Sequence, residues 1–200
     1  MPVVFALADS NTRPIIIKTS VRGGELISGK SLSALYSVGE LKEMTLFYGQ
    51  SYLGYNSIVK SDCESGKLKT CDFGNVDLSE FNGKSIDLLF KLTDMKNTVY
   101  SKKVSVKVDS VNPVLNDFSY NVSGKKVTFF FDINEKNFKE ILYTDNNDCN
   151  MREEKGTLCR SLRSGKCSYS KNVCIGTHNF VIDITDKAGN IFEKKQTIIV

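Results

Sequence analysis

Few residues in this sequence have the type and spacing that chemistry requires. There is one histidine, His178. Acid–base or nucleophilic catalysis needs a base held beside a fixed acid or a nucleophile, and no such motif accompanies His178. The sequence has no GxSxG, HExxH, P-loop or dinucleotide-binding fingerprint. His178 shares strand parity with Phe180, Ile182 and Ile184, so it is expected to cap a core at a strand start. Asp145-Asn146-Asn147-Asp148 clusters hard oxygen ligands, and Asp109 lies where a cation could stiffen a joint. A calcium loop of the EF-hand kind needs ligands at alternate positions, and this spacing differs, so the cluster reads as a polar turn. No catalytic residue, metal site or cofactor is expected, and the chain is read as non-enzymatic.

The six cysteines are Cys63, Cys71, Cys149, Cys159, Cys167 and Cys174. None forms a CxxC pair of the zinc type. An even number in polar, Gly/Ser/Lys-rich stretches points to disulfides in an exported protein. Cys63–Cys71 is expected as a local bridge, because no other cysteine lies in that half. The later four favour Cys149–Cys159 with Cys167–Cys174. The nested set, Cys149–Cys174 with Cys159–Cys167, is the alternative.

Binding chemistry is better represented. Tyr48, Tyr52 and Tyr55 alternate with Gly, Ser, Gln and Asn, which is the chemistry of a paratope. The competing reading is an edge hairpin whose tyrosines pack on their own sheet. The span from Cys149 to Cys174 is a second candidate, since a braced loop loses less freedom on binding. It carries Arg152, Lys155, Arg160, Arg163, Lys166 and Lys171 against Glu153 and Glu154. That bias reads as a solvated cationic loop, with an anion or polysaccharide contact as the alternative. Phe130 falls on the outward parity of its strand and calls for a cover. Asn121-Val122-Ser123 is a glycosylation sequon.

Net charge is +4, and the basic excess is shared evenly: 14 basic against 12 acidic residues in 1–109, 13 against 11 in 110–200. Nucleic-acid binders concentrate basic charge on one face, so nucleic acid is not an expected partner. No apolar run is long enough to span a membrane. Val3 to Asp9 is either the tail of a signal peptide or a first strand.

The elements that must carry these residues are strands. Phe180, Ile182 and Ile184 alternate with Val181, Asp183 and Thr185 before the turn residues Asp186 and Gly189-Asn190. A second copy lies 92 residues upstream, where Leu88, Phe90 and Leu92 precede Asp94. An earlier strand, Leu32, Ala34, Tyr36 and Val38, is matched 95 residues on by Val127, Phe129, Phe131 and Ile133. The middles of the two halves look different. Val108-Asp109-Ser110-Val111-Asn112-Pro113 reads as a short, stiff linker. The fold class expected is all-β: two tandem antiparallel β-sandwiches, 1–109 with an N-terminal extension and 110–200 with a disulfide-rich loop.

With Val108-Asp109 ahead of Pro113, and Asp186-Lys187-Ala188-Gly189-Asn190 in the last hairpin, the chain resembles the immunoglobulin-like domains of prokaryotic cell-surface and secreted proteins. The resemblance implies extracellular display, spacing and adhesion, with no shared catalytic site. Antibody-type domains differ, because Trp is absent here and the cysteines fall in loops, so a bridge between sheets is not expected. The function this implies is a non-catalytic module of a larger cell-surface protein. Its partners would be other surface subunits or a cell-surface glycan or protein. The alternative is an accessory binding pair of a secreted hydrolase. The chain ends on Ile198-Ile199-Val200 inside a strand pattern, as a segment of a longer protein would.

Overall fold

The computed structural model describes residues 13–51, 54–146 and 153–200. The possible signal remnant at Val3–Asp9 lies outside them, as do Tyr52, Asn147, Asp148 and Cys149. The chain divides into two compact units, Met1–Ser110 and Val111–Val200.

In the first unit, β1 (Ile15–Thr19), β3 (Ser33–Val38) and β6 (Gly66–Asp72) form one antiparallel sheet in the order β1-β3-β6. The other sheet runs β2 (Leu26–Ile27), β9 (Val104–Val108), β7 (Ser85–Asp94), β4 (Leu41–Gln50) and β5 (Gly54–Lys60), with β8 (Thr98–Tyr100) also paired to β7. Every pair is antiparallel except β2 with β9. Leu32, Ala34, Tyr36 and Val38 meet Met44, Leu46, Leu88 and Phe90 in a single core. Two sheets thus share one apolar layer, as the period-2 pattern requires. A 3₁₀ turn at Ser79–Phe81 links β6 to β7 and buries Phe81.

The second unit repeats this plan. β10 (Val114–Ser123), β11 (Lys126–Asn134) and β14 (Lys166–Asn172) make the three-stranded sheet. β13 (Glu154–Cys159), β12 (Phe138–Asp145), β15 (Thr177–Asp186) and β16 (Ile191–Ile199) make the four-stranded one. Val127, Phe129, Phe131 and Ile133 face Phe180, Ile182 and Ile184 across its core. The closing turns follow their sequence chemistry. Asp94 Oδ1 accepts from the Lys96 amide at 2.7 Å, and Asp186 Oδ1 from the Asn190 amide at 2.8 Å.

Three sequence expectations are corrected here. The middles of the units are alike, because β5 and β6 in the first correspond to β13 and β14 in the second. The cationic span is largely strand, with Glu154–Cys159 and Lys166–Asn172 both paired. Asp145 is no turn residue; it closes β12 and is fully buried.

One strand pair carries a cost. Asp183 on β15 lies directly opposite Glu193 on β16. Burial first, then the Glu193 charge, raises the Asp183 carboxyl above the ordinary aspartate value. The sign follows from linkage. A folded value above the unfolded one, ~3.9, favours folding only while the group is protonated, and that benefit is lost as pH rises through the folded value. Asp183→Asn is therefore expected to stabilise the protein at pH 7 by about 0.2–1 kcal/mol, the range for cross-strand pairs. The gain should shrink to nothing below about pH 3.9. Urea denaturation at both pH values checks it, and an equal gain at both would contradict the charge origin.

Candidate functional site

His178 is consumed by structure. Its Nδ1 lies 2.7 Å from Asp145 Oδ2, and its Nε2 lies 3.1 Å from the Cys174 carbonyl oxygen. The ring stacks at 6.0 Å on Phe180. Both nitrogens are engaged and the side chain is buried, so none is left to meet a substrate or a metal. The corresponding residue of the first unit, Ile86, is also buried. The second unit thus places a polar pair where the first has an aliphatic side chain.

Tyr48 and Tyr55 do not share a face. Tyr48 pairs with Asn56, and Tyr55 pairs with Gly49, so successive pleats send the two rings to opposite faces. Tyr48 packs edge-on against Phe81 beside the core, at 6.3 Å between centroids. Burial, followed by the charges of Glu80 and Asp77, raises its phenol above the usual value. Tyr55 is exposed and donates from its hydroxyl to Asp87 Oδ2 at 3.2 Å. Tyr52 lies outside the described residues. Asn121 is exposed on β10, paired with Thr128.

The disulfides organise a different surface. Cys63 bonds Cys71 and Cys159 bonds Cys167, each with a sequence separation of 8. The first pair recurs 96 residues later as the second (63 to 159, 71 to 167). This excludes the pairing of Cys149 with Cys159 and of Cys167 with Cys174. Cys174 is disulfide-bonded; Cys149 lies outside the described residues. The expectation of no bridge between sheets is also corrected. Cys159 ends β13 in the four-stranded sheet, and Cys167 lies on β14 in the three-stranded one. The bridge therefore ties the two sheets at one side of the sandwich. The loop it closes is short, so the chain-entropy model gives about 2–3 kcal/mol. Replacing Cys159 and Cys167 together by serine should lower stability by about that much, read as a shifted urea midpoint. No shift would show that the packed strands alone hold the sheets together.

A second tie lies beside it. Lys171 on β14 donates to Glu154 Oε1 on β13 at 2.6 Å, and the Tyr143 hydroxyl on β12 donates to the same oxygen at 3.0 Å. Lys171 also sits 5.1 Å from the centre of the Tyr143 ring. Burial pulls the Lys171 ammonium down, but its bonds to Glu154 and Tyr143 outweigh burial and hold its pKa above the ordinary lysine value. Gly156, directly opposite Tyr143, makes room for that ring: a Cβ there would come within 2.6 Å of it.

Around the Cys159–Cys167 bridge is a cavity of about 660 Å³. Its lining combines the apolar Phe130, Phe131 and Leu158 with the cations Arg160, Arg163 and Lys166 and the hydroxyls of Ser161 and Ser168. The hairpin carrying the cations is defined by its turn. Ser164 and Gly165 have φ of 49° and 79°, and positive φ at both central residues is the type I′ turn that matches strand twist. The Gly165 carbonyl accepts from the Ile133 amide at 2.8 Å, pinning the turn to the end of β11. Sequence reading singled out the cations, the cysteines and Phe130 separately. It missed their convergence, although Ser164-Gly165 between Arg163 and Lys166 is a hairpin signal.

No family model and no curated protein matches the sequence. Among solved structures, the chain superposes on the chicken CNTN1 FN1-FN3 domains with a TM-score of 0.52 and 11% identity. That alignment covers 94% of this chain and 66% of the other. The fold is an all-β, immunoglobulin-like sandwich. Weaker likenesses reach a tetra-tandem repeat from the extending region of a large adhesion protein, with a TM-score of 0.39, 11% identity and coverage of 94% and 48%. Another is to the chicken interferon gamma receptor alpha chain, at 0.35, 16%, 92% and 97%. The chain thus spans just under two thirds of the first structure's length and about half of the second's. At these identities the likeness concerns the fold.

Proposed function

We propose that this chain is a non-catalytic extracellular module of a larger surface protein, of the kind that prokaryotic cell-surface proteins repeat in tandem. Its role is spacing and adhesion. The observation that carries this reading is the division of labour among its polar residues. The one histidine is spent in the core against Asp145, while the cations around Cys159–Cys167 face solvent at a formed cavity. A sandwich braced by disulfides suits an oxidising exterior. The adhesive surface is the braced face of the second unit, in preference to the tyrosine hairpin, because Tyr48 and Tyr55 point apart.

Beads coated with the 200-residue chain should adhere to panels of immobilised cell-surface proteins and polysaccharides. They should hold better than albumin-coated beads and should leave the panel chemically unchanged. Adhesion no better than albumin on every surface would end the proposal, as would covalent turnover of any panel member.

A further inference from the structure

Arg163 and Lys166 face each other as a bridged pair across the type I′ turn. Like charges directly opposite one another destabilise a strand pair. Neither partner quenches the other, and Arg160 and Arg163 enter no ion pair among the described residues. Lys166 comes no nearer to a carboxylate than 3.9 Å, at Asp132 Oδ2, which is beyond hydrogen-bond length. Asp132 meanwhile accepts from Asn116 Nδ2 at 3.2 Å. A pinned turn and a disulfide gather Arg160, Arg163 and Lys166 in the cavity lining; Asp132 offsets part of the Lys166 charge, and the two arginines are left for an anion.

Phe130 completes the site. Phe130 is 44% exposed on a polar face of β11: Ser119 and Ser168 lie opposite it, Thr128 bonds Ser170 at 2.8 Å, and the facing carboxylates Asp132 and Asp117 lie one pair further along that face. One flat apolar ring among hydroxyls suits a sugar, whose C–H face stacks while its hydroxyl groups find polar partners. Guanidinium groups match carboxylate and sulfate in a bidentate way. The basic excess of the whole chain is small and shared between its halves, which disfavours nucleic acid.

We infer that the cavity beside Cys159–Cys167 binds an acidic polysaccharide, with Arg160, Arg163 and Lys166 holding its anionic groups and Phe130 stacking on a sugar ring. This deepens the adhesive reading above and rests on it.

The test uses the full chain and immobilised polygalacturonate and dextran sulfate, with neutral dextran, an acidic polypeptide (polyglutamate) and single-stranded DNA as comparators. The wild type should bind one or both acidic polysaccharides in a salt-sensitive way and pass over dextran. The two probes separate carboxylate from sulfate recognition. Arg160→Ala with Arg163→Ala should weaken binding about tenfold or more, as loss of two charge-assisted contacts implies. Phe130→Ala should weaken it without altering the salt dependence. Lys125→Ala with Lys126→Ala removes the same charge at a different turn, and should change binding less than about twofold. Circular dichroism confirms that each variant is folded. Equal losses from the two double variants would reduce the effect to net charge and overturn the inference. Tighter binding to polyglutamate or DNA would overturn it too, as would no binding to either polysaccharide. Bead adhesion to a protein surface in that last case would leave the adhesive reading standing, whereas failure on every surface removes both.

Discussion

Replacing His178 with leucine is expected to lower the stability of the second unit by about 1–3 kcal/mol, the cost of taking a hydrogen-bond partner from a buried polar group. The reason is the carboxylate left behind. Asp145 and His178 are both almost wholly inaccessible, and the 2.7 Å contact is the imidazole's bond to that carboxylate. Leucine keeps the volume roughly constant but withdraws one polar partner, and desolvation of Asp145 is then offset less. Adding Asp145→Leu to His178→Leu should recover part of the loss, since an apolar pair of similar size can replace a buried polar pair. Ile86 in the first unit shows that the position accepts an aliphatic residue. Amide hydrogen exchange in β12 and β15 reads the result. A single variant as stable as the wild type would show that Asp145 does not depend on His178.

The second large effect separates two neighbours in sequence. Phe129 is fully buried, edge-on to Phe180 at 5.2 Å and stacked at 6.4 Å on both Phe118 and Phe131. Phe129→Ala should cost about 3–5 kcal/mol through lost transfer energy and an unfilled cavity. Phe130→Ala, one residue on, should change stability by no more than about 0.5 kcal/mol, as surface substitutions do. The urea midpoints of the two variants check this. Comparable losses would mean that the pleat of β11 is not as described. The contrast also makes Phe130→Ala a clean probe, with binding weakened and folding kept.

Alternation made the core strands legible from the sequence. Leu32 to Val38 and Val127 to Ile133 announce one buried face each, because a half-buried strand can satisfy only one parity. The turns at Asp94 and Asp186 were equally plain, since aspartate bonds its own following backbone. Strand pairing at a distance was less so. Nothing local in Cys159-Arg160 or Lys166-Cys167 says that they belong to opposite sheets, so the bridge was expected in loops. The equal spacing of Cys63–Cys71 and Cys159–Cys167 carried that information, but only as a comparison between halves. Tyr48 and Tyr55 failed as a group for the opposite reason. Composition suggested a shared surface, and a seven-residue step, being odd, would already separate their faces in one strand; across a hairpin only the register decides.

The account rests on the braced cationic face of the second unit being where the protein meets its ligand. Titrating the ¹⁵N-labelled chain with polygalacturonate oligomers, and with sulfated ones in a parallel sample, tests this residue by residue. The account predicts saturable amide shifts concentrated at residues 129–131 and 158–168, with the Arg160 and Arg163 side-chain signals moving alongside them. Shifts centred on β4 and β5 around Tyr48 and Tyr55, or scattered over every surface lysine, would contradict it.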